Sequence, residues 1–135
     1  NKKIDIAVFC AAVADFKIKK ISSKKIKKDK LKSLKLIKNI DILKKISTQK
    51  KNRPKYIVGF SAETDNKILA KRKLNEKNCD MIILNKIGKK NKIFGLDENK
   101  VSIITKETMV NYPKTSKINC AKYILDSIYT QIKNK

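Results

Sequence analysis

The chain is 135 residues long and 41% hydrophobic, enough for one domain that buries a core without disulfides or metals. Its 35 basic against 12 acidic residues give a formal net charge of +23, which raises nucleic-acid binding as one reading, while the hydrophobic content excludes a disordered tail despite that charge. Histidine is absent, which removes Ser-His-Asp and Cys-His nucleophile systems and most metal sites, and leaves lysine, carboxylates, backbone amides or a bound metal for any chemistry.

In chain order, the nearly continuous apolar run Ile4 to Val13 predicts a strand buried on both faces, as parallel sheets require. It ends at Ala14-Asp15-Phe16. A lysine-dominated stretch from Lys17 to Lys35, with Ser22-Ser23 in its middle, has little apolar mass and reads as a loop or lid. Asn39 is placed to cap a short helix running through Ser47. A second buried strand, Tyr56 to Phe60, follows the Arg53-Pro54 turn. Thr64 or Asp65 then caps a helix reaching about Asn78.

A third strand, Met81 to Leu84, runs into a loop from Asn85 to Asp97 that holds Gly88 and Gly95. A fourth, Val101 to Thr105, is expected to pair with the segment around Val110 to Tyr112. The last helix starts near Ser116, with Ile118, Ala121, Ile124, Leu125, Ile128 and Ile132 as its apolar stripe. Strands alternating with helices predict an α/β fold, Rossmann-like and three-layered, with a mainly parallel sheet. There is no internal repeat and no linker that divides the chain. In such a sheet a ligand binds beyond the carboxyl ends of the strands, where Asp15, Ser61 to Thr64 and Asn85 are expected.

Several local strings occur in order: Ala11-Ala12-Val13-Ala14-Asp15-Phe16, Lys25-Ile26-Lys27-Lys28, Lys38-Asn39-Ile40-Asp41-Ile42 and Gly59-Phe60-Ser61-Ala62-Glu63-Thr64. Phe94-Gly95-Leu96-Asp97-Glu98-Asn99 and Ser116-Lys117 continue the set. Together they resemble the phosphopantothenate–cysteine ligase domain of the bifunctional phosphopantothenoylcysteine decarboxylase/phosphopantothenate–cysteine ligase family, over essentially the whole chain.

The resemblance implies a two-step ligation in coenzyme A biosynthesis. The carboxylate of 4'-phosphopantothenate attacks the α-phosphate of CTP, giving an acyl-cytidylate and pyrophosphate. The amine of cysteine then attacks the acyl carbon and CMP leaves. By resemblance, Lys25 is the catalytic lysine over the phosphates. Phe9, Cys10 and Ala11 line the nucleotide pocket with Asp15 just beyond, Ile40, Asp41, Ile42 and Leu43 supply backbone contacts to the cytosine, Phe60 is a side wall, and Lys73 and Lys77 contact the triphosphate. Mg2+ is implied with CTP, and FMN only where a decarboxylase domain is fused upstream. A homodimer is implied as well. Two departures stand out: Ile40 is where the family usually has proline, and Lys86 is where it usually has aspartate or asparagine.

The resemblance further implies that residues 1–135 are the C-terminal portion of one ligase domain, with the lid at about 17–35. The strand-turn-helix that opens such a domain is missing from it, so the piece alone is expected to be inactive. The three cysteines, Cys10, Cys79 and Cys120, are far apart and odd in number, which suggests a reducing, cytoplasmic setting. No apolar run approaches the ~20 residues of a membrane span. Cys79 and Cys120 are expected to be buried small hydrophobes, and Cys10 to contribute its backbone rather than its thiol.

The alternative from the binding class is a basic nucleic-acid-binding domain. Against it, only Arg53 and Arg72 among the 35 basic residues are arginine, leaving 33 lysines. Arginine is the better reader of phosphate and guanine, and the aromatics, 6% of the chain, do not alternate with the basic clusters. A dinucleotide-dependent oxidoreductase is disfavoured because no strand leads into G-x-G-x-x-G.

Overall fold

The computed structural model describes residues 3–27, 33–63, 67–86 and 97–134. In chain order the elements are β1 (Ile6–Phe9), β2 (Phe16–Ile18), β3 (Leu36–Lys38), α1 (Ile42–Ser47), β4 (Tyr56–Glu63), α2 (Lys67–Glu76), β5 (Met81–Lys86), β6 (Glu98–Asn99), β7 (Val101–Ile104), β8 (Met109–Asn111), β9 (Thr115–Ser116) and α3 (Lys117–Lys133). A five-stranded sheet runs β1-β4-β5-β7-β8. β1, β4 and β5 are parallel, β7 is antiparallel to β5, and β8 reverses again. Four of the five strands therefore point one way, and the expected α/β architecture is found.

The sheet separates two apolar layers because strand side chains alternate. Tyr56, Val58, Met81, Ile83, Val101 and Ile103 pack with Cys120, Ile124 and Ile128 of α3 on one face. Ile57 and Ile82 pack with Leu74 of α2, Cys79, Leu43 of α1 and Phe9 on the other. The apolar runs in β5 and β7 are buried at every position from Met81 to Leu84 and from Val101 to Ile104, as strands covered on both faces should be. Gly59 permits a close approach: a Cβ there would lie 2.7 Å from Leu43 Cδ2 and 2.9 Å from Ile82 Cδ1, and those methyls would have to move. Its absence lets α1 seat Leu43 on the sheet.

Five expectations are corrected. The first strand is only four residues long and sits at the sheet's end. Ile6 and Val8 are exposed on the face that α3 covers elsewhere, so the strand is not buried on both sides. β4 continues through Glu63 and β5 through Lys86, which puts Ser61 and Asn85 inside strands rather than after them. Asp41, not Asn39, caps α1: its carboxylate accepts from the Lys44 N–H at 2.9 Å. The stripe of α3 that meets the sheet is Cys120, Ile124 and Ile128, whereas Ile118 and Leu125 are 71% and 63% exposed. Finally, the stretch read as a loop is framed by a ribbon. β2 and β3 pair antiparallel, Phe16 with Lys38 and Ile18 with Leu36. The Thr64 and Asp65 caps, and most of the 85–97 loop with Gly88 and Gly95, lie outside the described residues.

Candidate functional site

A cavity of about 550 Å³ opens beyond the carboxyl end of β1 and alongside Phe60 of β4, a size suited to a small molecule. One wall is the chain leaving β1, with Phe9, Cys10, Ala11, Val13, Ala14 and Asp15. The opposite wall is the segment from the end of β3 into α1: Lys38, Asn39, Ile40, Asp41, Ile42 and Leu43. Phe60 of β4 and Lys77 complete it. The position is where parallel strands leave a crevice.

Lys77 reaches this site because α2 ends there. The Asn78 N–H bonds the Asn75 carbonyl at 3.0 Å and the Cys79 N–H bonds the Leu74 carbonyl at 3.0 Å, with Asn78 at φ 49°. This is the left-handed closure that terminates helices. Lys77 is thus the last residue of the helical spiral, and its ammonium forms an ion pair with Asp41 Oδ2. Asp41 therefore uses one oxygen to cap α1 and the other to hold Lys77. Burial pushes its pKa up, but the Lys44 N–H, the Lys77 hydrogen bond and the charges of Lys77 and Lys44 outweigh that and hold it below the ordinary value. A depressed carboxyl pKa stabilises the fold above the unfolded value, and that gain is lost only as pH falls through the folded pKa.

The ends of α1 and α2 are fastened behind the pocket by Arg53. Its Nε donates to the Ser47 carbonyl at 2.9 Å and its Nη1 to the Pro54 carbonyl at 2.9 Å. Its Nη2 donates to the Asn78 carbonyl and to Asp80 Oδ2, both at 3.0 Å. Asp80 Oδ2 also accepts from the Ile57 N–H at 2.9 Å, which ties the assembly to β4. Asn78 Nδ2 donates to the Ser47 carbonyl at 2.8 Å, and the fully buried Ser47 hydroxyl lies against the Lys77 carbonyl.

Of the residues singled out from sequence, Phe9, Cys10, Ala11, Asp15, Ile40, Asp41, Ile42, Leu43, Phe60 and Lys77 all line this one cavity. Lys25 and Lys73 do not line it. Lys25 is exposed, just past a turn in which the Ser22 hydroxyl donates to the Lys24 carbonyl at 2.7 Å. The Lys73 ammonium donates to Ser61 Oγ at 3.0 Å. Sequence reasoning missed Val8, Val13, Ala14, Lys38 and Asn39 as lining residues, and it missed the Arg53 fastening. The signal for the latter was arginine's rarity: a chain that otherwise uses lysine needs a guanidinium fork where several acceptors converge.

The thiols differ sharply. Cys10 is exposed at the cavity, while Cys79 and Cys120 are buried. Burial pushes the Cys79 thiol up to about 12, with the charge of Asp80 adding to it, and burial raises Cys120 as well. Alkylation of the native protein at pH 8 is expected to modify Cys10 first and to leave the other two intact until denaturant is added. Mass spectrometry of digested, partly labelled protein checks this; equal labelling of Cys79 would contradict the packing described. A ligand in the cavity should slow the Cys10 reaction.

Comparison with known proteins shows what the chain is similar to. The family model of the DNA/pantothenate metabolism flavoprotein C-terminal domain matches residues 1–132. The chain is 43% identical over 132 residues to the coenzyme A biosynthesis bifunctional protein CoaBC of Borreliella burgdorferi, covering 94% of this chain and 32% of that protein. It is 39% identical over 127 residues to the protein of the same name in Bacillus subtilis, with 92% and 31% covered. The chain therefore spans about a third of the length of these curated relatives. Among solved structures, the C-terminal domain of a coenzyme A biosynthesis bifunctional protein CoaBC superposes with a TM-score of 0.73 at 27% identity, covering 97% of this chain and 58% of that one.

Proposed function

The chain belongs to the family of DNA/pantothenate metabolism flavoprotein C-terminal domains, and from that premise we propose that it is the nucleotide-binding, carboxylate-activating part of a CTP-dependent phosphopantothenate–cysteine ligase in coenzyme A biosynthesis. The observation that carries the reading is the single cavity in which the segments after β1, before α1 and at the end of α2 converge. The relatives' names support the pathway, and a cavity lined by apolar side chains together with the Lys77 ammonium suits a nucleotide.

In this reading a carboxylate oxygen of 4'-phosphopantothenate forms a bond to the α-phosphorus of CTP, and the bond to the bridging oxygen of pyrophosphate breaks. The neutral cysteine nitrogen then bonds to the acyl carbon as CMP departs, and the proton the nitrogen loses passes to solvent. The chain's proposed contribution is charge and position around the phosphates, which phosphoryl transfer chiefly needs. Phe9, Cys10, Ala11 and Phe60 bound the base and sugar, the turn from Ile40 to Leu43 presents backbone groups to cytosine, and Lys77 meets phosphate. Lys73 lies one turn earlier on α2, toward Ser61, and serves the distal phosphates. Lys25 approaches from the β2–β3 ribbon.

Mg2+ is read as travelling with CTP. Among the described residues no group of three acidic, cysteine or histidine side chains could hold a metal, and Asp41 is already engaged by Lys77. Phosphate oxygens and water would supply its ligands. FMN belongs to a decarboxylase part, and no residue of this chain is proposed for it. No described helix is long and apolar enough to cross a membrane.

The test uses the full-length protein that carries this chain, supplied with Mg2+, 4'-phosphopantothenate, cysteine and either CTP or ATP. Pyrophosphate and 4'-phosphopantothenoylcysteine should form in equal amounts with CTP and far more slowly with ATP. Absence of product with both nucleotides, together with salt-steep RNA binding insensitive to CTP, would favour the nucleic-acid reading instead.

A further inference from the structure

We infer that Asn39 is a positioning residue that fixes the separation of the two walls of the cavity and, through it, the affinity for the nucleotide; the inference rests on the CTP reading. Its side-chain Nδ2 donates to the Ala14 carbonyl at 2.7 Å, and its backbone N–H donates to the Asp15 carbonyl at 2.8 Å. One residue thus grips two consecutive carbonyls about 25 positions away in sequence. Those carbonyls belong to the segment that brings Cys10, Ala11 and Asp15 to the cavity. Asn39 itself leads directly into Ile40 and Asp41 on the opposite wall.

The local exposure fits that role. Leu36, Ile37, Lys38 and Ile40 are all exposed, whereas Asn39 between them is half-buried. Asparagine carries an amide donor at that short reach, just past the end of β3. Aspartate has the same shape but, ionised, would face the Ala14 carbonyl with an acceptor, and alanine would leave that carbonyl to water. The backbone bond from position 39 to Asp15 survives either change. The expected failure is therefore a loosened wall and not an unfolded protein.

In the full-length protein, Asn39→Ala and Asn39→Asp are each expected to raise KM for CTP about tenfold, the size of one net hydrogen bond. Both kcat and KM for 4'-phosphopantothenate should stay within about twofold, because neither depends on this tether. A general loss of folded protein would instead lower kcat and leave KM for CTP alone. A second readout needs no ligand: amide hydrogen exchange across residues 10–16 and 39–43 should quicken about tenfold in both variants, as a local opening would. An unchanged KM for CTP in an enzyme that uses CTP overturns the inference. So does an aspartate variant that behaves as wild type, since packing rather than donation would then suffice. If the unaltered protein releases no pyrophosphate from CTP, the functional reading falls by itself; exchange still decides the tether, and unchanged exchange overturns it.

Discussion

Replacing Lys25 with glutamine in the full-length protein is expected to slow pyrophosphate release from CTP and 4'-phosphopantothenate by about 10²- to 10³-fold, the usual cost of removing one charge aimed at a developing anion. The variant should fold normally, because Lys25 is exposed and no described packing depends on it. It does not line the cavity in this structure, so its proposed role requires the ribbon to carry it across the nucleotide. The ribbon is well placed for that. Its root at Phe16 and Lys38 continues directly into both cavity walls, while its far portion is dominated by lysines that repel one another until phosphates are present. Lys27→Gln, with the same charge change two residues on, serves as the control and should cost no more than a few-fold. A Lys25 variant within a few-fold of wild type would remove this residue from the chemistry.

The second large effect concerns stability. Arg53→Met is expected to lower the unfolding free energy by about 2–4 kcal/mol, measured by urea denaturation and read from the midpoint at unchanged slope. A fully buried pair left without its partner costs about 3–5 kcal/mol; Arg53 and Asp80 side chains are 26% and 16% exposed, and water offsets part of that. The loss is more than one ion pair, since the Pro54 and Asn78 carbonyls lose the guanidinium as donor and the Ser47 carbonyl keeps only Asn78 Nδ2. Arg53→Lys should recover little, because one ammonium cannot reach acceptors spread around a planar fork. A lysine variant as stable as wild type would show that charge alone matters there. Either loss should also weaken nucleotide binding, since Asp41 and Lys77 stand on the two helices that Arg53 joins.

How far the sequence reveals this molecule depends on whether the decisive contact is local. The apolar runs at Tyr56 to Phe60, Met81 to Leu84 and Val101 to Thr105 announce central strands, because burial on both faces leaves no polar alternation. The same logic misleads at Ile4 to Val13. Burial there depends on what lies beside and above the strand, and α3 sits over β5 and β7 instead. Periodicity likewise shows that α3 is amphipathic without telling which edge of a wide stripe meets the sheet.

Asn39 and Asp41 are both good helix caps. What decides between them is the Ala14 carbonyl, a partner that no local pattern reveals. Lys73 and Lys77 share helical spacing, but only Lys77, at the helix end, lines the cavity, while the Lys73 ammonium is directed to Ser61 Oγ. The cavity residues themselves were legible through motif resemblance. Their convergence follows from strand order, which brings β1 beside β4.

The exposed end of the sheet has a practical bearing on handling the protein. In a preparation of residues 1–135 alone, β1 has β4 as its one neighbour among the described residues, so its outer row of N–H and C=O groups can template a strand from another molecule, with Ile6 and Val8 uncovered alongside. Long-range repulsion keeps copies apart, since each carries a formal charge of +23. That repulsion extends about 30 Å at 0.01 M salt and only about 3 Å at 1 M. Colloidal behaviour should therefore run against common practice: dilute buffer keeps preparations monodisperse, and the concentrated salt that elutes so basic a protein from a cation exchanger is the condition that lets its sheet edges meet.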